Sequence, residues 1–301
     1  MPPNPLRKKH TDFALRTLVL SAINTFTTSP RHTDSPTWMP NLDISLATIR
    51  GLGFPPKYNA SSSTRASISP TNPAISTHTP SVLSLTGFTL DTVSATISPL
   101  LTLRKDLRLY IGTSPNAISA LWTDYLFRYY DCDKEATLEA FIHTLTATGF
   151  ALPTQFPAHP LGKVVPPHRI PSLISDFAAH MQKDQPFSLT HAIPPFPKRD
   201  QLQTLATDGD ADQFAVLVGK ACHERKFFIT GEGRMGLCPR GAREGDKVVV
   251  LYGGSVLYVL RNIGEGRCSF VGECYVEGWM FGEAEAVRGV GGRTERVFHI
   301  V

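Results

Sequence analysis

Lys226 marks a change in backbone chemistry that constrains the fold of this chain more than any motif does. Of the 24 prolines, 23 precede it and only Pro239 follows; of the 23 glycines, 15 follow it. Proline lacks a backbone donor and suits loops and first helical turns, whereas glycine supplies the positive-φ positions of tight turns. The last 76 residues therefore read as hairpins. What precedes them reads as helices joined by proline-rich connections.

Within the tail, short apolar runs alternate with glycine turns, which predicts strands over 226–230, 234–237, 246–252, 257–262, 268–276 and 294–301. Val248-Val249-Val250-Leu251-Tyr252 is apolar without alternation, the pattern of a central strand covered on both faces. From Phe270 to Val276 the two faces alternate, as in a half-buried strand. Six short strands in succession predict an antiparallel meander, or its closed form, a small barrel.

Four amphipathic helices are expected in the middle. Ser114-Pro115 is a start signal, followed by Ile118, Leu121, Trp122 and Tyr125 at helical spacing. Leu138, Phe141, Ile142 and Leu145 form a second stripe, with Gly149 as its expected stop. Ile170, Leu173, Ile174, Phe177 and Met181 form a third; Phe214, Leu217, Val218 and Ala221 form a fourth. Such stripes belong to a core. Upstream, residues 81–97 read as a hairpin turning at Gly87, and 12–26 as one more helix. Residues 29–80 are rich in proline, serine and threonine and read as irregular. The expected class is α+β, a helical middle packed with the β tail. Its divisions are a basic segment 1–80, a hairpin-plus-helical region 81–225 and a β module 226–301.

A net charge of +4 is too mild to argue for nucleic acid, and no apolar run approaches the roughly 20 residues that span a bilayer. Five cysteines without close pairs suit reduced thiols, so a cytoplasmic protein without a nucleic-acid or membrane partner is expected. Gly231-Glu232-Gly233-Arg234-Met235-Gly236 matches the dinucleotide fingerprint in letters. That chemistry needs a helix N-terminus after the glycines, and Leu237-Cys238-Pro239 has no helical period, so the segment reads as a hairpin turn. Asp208-Gly209-Asp210-Ala211-Asp212 opens like a calcium loop, but Gln213 stands where glycine is required and Gly219 where glutamate is. It reads instead as a loop and helix cap. His223-Glu224 lacks a second histidine one turn on, so no metal site, cofactor or catalytic residue is assigned.

The remaining candidates are polar residues of the tail, Arg261, Glu273, Tyr275 and Glu283, assigned as binding residues. If Glu273 faces inward its carboxylate needs a partner, and Arg261 on the preceding strand is the expected one. An ion pair fixing strand register is the structural reading; a ligand site is the functional one.

The tail also carries an ordered series of blocks. Lys226-Phe227-Phe228-Ile229-Thr230, Gly236-Leu237-Cys238-Pro239 and Gly245-Asp246-Lys247-Val248 come first. Tyr258-Val259-Leu260-Arg261, Val271-Gly272-Glu273-Cys274-Tyr275-Val276 and Gly278-Trp279-Met280-Phe281-Gly282-Glu283-Ala284 follow. The series resembles the C-terminal region of fungal heterokaryon-incompatibility (HET-domain) proteins. Echoes at Thr37-Trp38-Met39-Pro40, Tyr58-Asn59-Ala60-Ser61 and Phe141-Ile142-His143-Thr144-Leu145 extend the resemblance over roughly 37–285. In that family a death-triggering HET domain precedes these segments, and only 36 residues stand before the block that begins at Thr37 here. The resemblance implies a non-enzymatic accessory or recognition protein of nonself recognition, with a protein partner for which a full-length family member is the candidate. The alternative is a small-molecule or nucleotide-binding enzyme using residues 231–236 with Arg261 and Glu273.

Overall fold

The computed structural model describes residues 58–61, 82–99, 102–104, 109–111, 115–128, 134–148, 170–183, 198–223 and 225–301. The expected helix over 12–26, and all of 29–80 except 58–61, lie outside the described residues. Among those described, no helix is long and apolar enough to cross a membrane.

The fold is α+β. Strand β1 (Leu83–Pro99) and a small pair, β2 (Thr102–Arg104) with β3 (Leu109–Ile111), come first. Helices α1 (Pro115–Arg128), α2 (Lys134–Thr146), α3 (Ile170–Lys183), α4 (Arg199–Leu205) and α5 (Ala211–Cys222) follow. The tail holds β4 (Arg225–Thr230), β5 (Met235–Pro239), β6 (Lys247–Leu251), β7 (Leu257–Gly264) and β8 (Arg267–Val276). It ends with the short helix α6 (Glu283–Ala286) and β9 (Glu295–Ile300). All six expected tail strands are present, displaced by a residue or two at their ends.

The pairing closes on itself. From β1 it passes antiparallel to β6, β7 and β8, then to β9 and back to β1. The β8–β9 contact is parallel, with Arg267 beside His299 and Cys268 beside Ile300, so the ring is not wholly antiparallel. Beyond the ring, the C-terminal halves of β1 and β8 run on to hold the β4–β5 hairpin: Val93–Pro99 pairs with β4, and Tyr275 and Val276 pair with β5.

This corrects the expected hairpin over 81–97. Residues 83–99 are one continuous strand, and Gly87 lies within it, paired with both Leu251 and Arg296. Glycine is required there by close approach rather than by a turn. A Cβ on Gly87 would stand 1.9 Å from the Val250 carbonyl oxygen.

Val248 to Leu251 are buried throughout, as a strand covered on both faces must be. The helical layer covers the hairpin through aromatic contacts. Phe141 of α2 packs on Phe227 of β4 at 5.8 Å and on Trp122 of α1 at 5.0 Å, while Phe177 of α3 meets Phe214 of α5 at 5.6 Å. Such edge-to-face and tilted pairs add to the area they bury. Helix α2 stops before the expected Gly149. Ala147 takes the left-handed position at φ 42°, with Thr148 N–H bonded to the His143 carbonyl and Ala147 N–H to that of Thr144. Tyr58 donates to the Ala147 carbonyl at 2.7 Å and fixes this corner against the ring.

Candidate functional site

The four candidate binding residues do not converge on one point. Arg261, on β7, reaches the turn before β6: its Nε donates to Asp246 Oδ1 and its Nη2 to Asp246 Oδ2, both at 2.8 Å. A further bond runs from Nη2 to the Gly241 carbonyl at 2.8 Å. Asp246 also accepts the Arg243 amide at 3.0 Å. This two-pronged pairing of guanidinium and carboxylate joins β7 to the β5–β6 connection.

The expected Arg261–Glu273 pair is therefore overturned. Across the β7–β8 ladder Glu273 stands opposite Tyr258, whereas Arg261 stands opposite Ser269. Positions 258 and 261 are an odd number of residues apart, so their side chains leave opposite faces, and about 10 Å of strand separates them. Glu273 is 1 % exposed. Its charge acts on Arg225, also buried: burial lowers the guanidinium pKa, and Glu273 opposes that shift. Arg225 in turn donates to the Ala221 carbonyl at 2.8 Å, tying the end of α5 to β4.

Tyr275 is buried and belongs to a polar chain that the sequence does not reveal. Its hydroxyl donates to Glu277 Oε2 and contacts Thr148 Oγ1 at 3.1 Å, and Glu277 Oε1 meets His143 Nδ1 at 3.1 Å. Burial, then the charge of Glu277, pushes the Tyr275 hydroxyl well above its ordinary pKa, so it remains a proton donor. Arg234 lies 4.6 Å over the Trp279 ring and reaches the Glu277 carbonyl. His143 Nε2 is buried without a hydrogen bond, 3.8 Å from Glu139 Oε1. A histidine held by a carboxylate at one nitrogen is the arrangement of a general base. Here the second nitrogen is enclosed, and the chain serves to tie α2 to the end of β8. His143 and Glu277 are 134 residues apart in sequence. The only trace of this pairing in the sequence is a histidine interrupting the Phe141, Ile142, Leu145 stripe.

Glu283 is exposed at the start of α6, where its carboxylate accepts the Phe281 amide at 2.8 Å. It joins neither of the clusters above.

The glycine segment 231–236 is the β4–β5 hairpin turn, as expected. The carboxylate of Asp91 on β1 already occupies an amide of this turn. Its Oδ2 accepts the Glu232 amide at 2.9 Å and its Oδ1 the Thr92 amide at 2.7 Å. Glu232 pairs with Arg293, which also donates to the Leu90 carbonyl at 2.9 Å. These ties share no residue with the Arg261–Asp246 cluster, so the groups of the nucleotide-binding alternative are not assembled into one site.

The calcium-like segment is a helix cap. Asp210 accepts the amides of Asp212 and Gln213 at 3.0 and 2.9 Å, and Asp212 pairs with Lys183. Among the described residues, no cluster of three or more histidine, cysteine or acidic side chains is placed to hold a metal ion. Burial pushes the Cys222 thiol up to about 12 and Cys238 and Cys274 well above their ordinary range. While they stay buried, such thiols remain protonated and are poor nucleophiles.

Residues 196–289 match the family model described as the Het-6 beta-barrel domain, a C-terminal-type domain of the heterokaryon-incompatibility family. The matched stretch runs from just before α4 through α6; β1 and β9, which complete the ring, lie outside it. No curated protein and no solved structure matches the chain.

Proposed function

We propose that this chain is a non-enzymatic, cytoplasmic recognition protein of the heterokaryon-incompatibility type, whose β ring engages a protein partner, with a full-length family member as the favoured candidate. The observation that carries the reading is the use made of the tail's charged side chains. Arg261 with Asp246, Arg293 with Glu232, Asp91 with the Glu232 amide, and Glu277 with His143 each bind one element to another. They act as ties of a rigid scaffold rather than as groups turned together toward a small molecule. The match of residues 196–289 to the Het-6 beta-barrel domain model supports this reading.

A scaffold of this kind recognises through the side chains its strands and turns leave outside. Arg240, Arg243 and Arg267, at hairpin ends, are exposed. Calorimetric titration of the purified chain with a full-length HET-domain protein tests the reading. Saturable binding, with no thermal shift on adding ATP, GTP or NAD, is the expected result. A nucleotide-induced rise in melting temperature, with no heat from the protein titration, would reverse it in favour of the small-molecule alternative.

A further inference from the structure

The seam between β5 and β8 brings two thiols together. Gly236 pairs with Val276 and Leu237 with Tyr275, and continuing that antiparallel register by one residue sets Cys238 opposite Cys274. Directly opposed residues of adjacent strands have Cα atoms about 4.5–5.5 Å apart, within the roughly 4.4–6.8 Å that a disulfide spans. Residues opposed in register project from the same face. The charge of Cys238 acts on the ionisation of Cys274, consistent with that placement. Both are free thiols and fully buried.

We propose that Cys238 and Cys274 form a reversible oxidation site, at which a peroxide-class oxidant closes a disulfide that fastens the β4–β5 hairpin to the ring. In the closed structure burial keeps both sulfurs protonated and slow to react. The seam that must part to admit the oxidant is short, only two registered residue pairs. Local opening of so small a unit costs less than global unfolding. Once the seam is open, one thiolate attacks peroxide, breaking the O–O bond and giving a sulfenic acid and, with one proton, water. The second thiol then displaces the sulfenic hydroxyl, which leaves as a second water as the S–S bond forms. Two thiols are oxidised by two electrons in total and one peroxide is reduced.

The other described cysteines are placed differently. Cys222 donates its thiol to the Leu145 carbonyl at 3.2 Å. Cys268 precedes Cys274 on the same strand by six residues, about 20 Å of extended chain.

The test is to treat the reduced full chain with hydrogen peroxide, block free thiols, digest without reductant and map linked peptides by mass spectrometry. The expected result is a dominant 238–274 link, absent after dithiothreitol, retained in Cys268→Ser and abolished in Cys274→Ser. If Cys274→Ser does not fold, a time course on the unsubstituted chain decides: the thiols of Cys238 and Cys274 must disappear in parallel. Links to Cys132 or Cys222, over-oxidation confined to Cys268, or the absence of any link would overturn the proposal.

Discussion

Replacing Asp246 with Asn tests whether the charged groups of the tail are structural ties. The Asp246 side chain is 3 % exposed and that of Arg261 22 %. Removing one partner of a fully buried, hydrogen-bonded ion pair costs about 3–5 kcal/mol. Arg261 keeps some contact with water, and an asparagine oxygen still accepts one of its two bonds. The expected loss for Asp246→Asn is therefore about 2–3 kcal/mol. Arg261→Met leaves the carboxylate with the Arg243 amide as its remaining partner and should cost about 3 kcal/mol. In the double substitution neither charge is stranded, so the combined loss should fall short of the sum by at least about 1 kcal/mol. Urea denaturation of the four proteins reads these differences directly. Two single losses under about 0.5 kcal/mol that simply add would refute the argument.

Three further outcomes follow from the packing and charge. Gly87→Ala forces β1 and β6 apart, since the obstructing atom is backbone; it should cost about 3 kcal/mol or more, visible as a lowered urea midpoint. Phe141→Ala removes the ring wedged between Trp122 and Phe227 and should cost about 3–5 kcal/mol in the same assay. Glu285 has its carboxyl raised by burial, with Arg288 opposing the shift. A raised folded-state acid binds more protons than the unfolded chain. Its contribution is therefore fully present below the ordinary value of 4.5 and is lost as pH rises through the folded pKa. Glu285→Gln should flatten that fall, and an unchanged pH profile of the denaturation midpoint would contradict it.

The strands were legible because turn glycines separate successive tail runs, as with Gly245 at φ 87° and Gly253 at φ 83° on either side of β6. The same cue misleads at Gly87, where glycine answers to a neighbouring backbone that sequence spacing does not announce. Helix α2 shows the converse: its left-handed end falls on Ala147, which propensity does not favour. For the site, sequence identified Arg261 and Glu273 as groups in need of partners and paired them by proximity along the hairpin. Arg261 instead finds Asp246 across a turn. The His143–Glu277 and Asp91–Glu232 contacts join segments more than 130 residues apart, and no local pattern encodes such pairs.

Amide hydrogen exchange of the full chain, with and without a full-length HET-domain protein at saturating concentration, tests the recognition reading most directly. The account predicts new protection in the turns and outer strands of 225–301, with the helices α1 to α5 unchanged. Protection confined to those helices, or none anywhere, would contradict it.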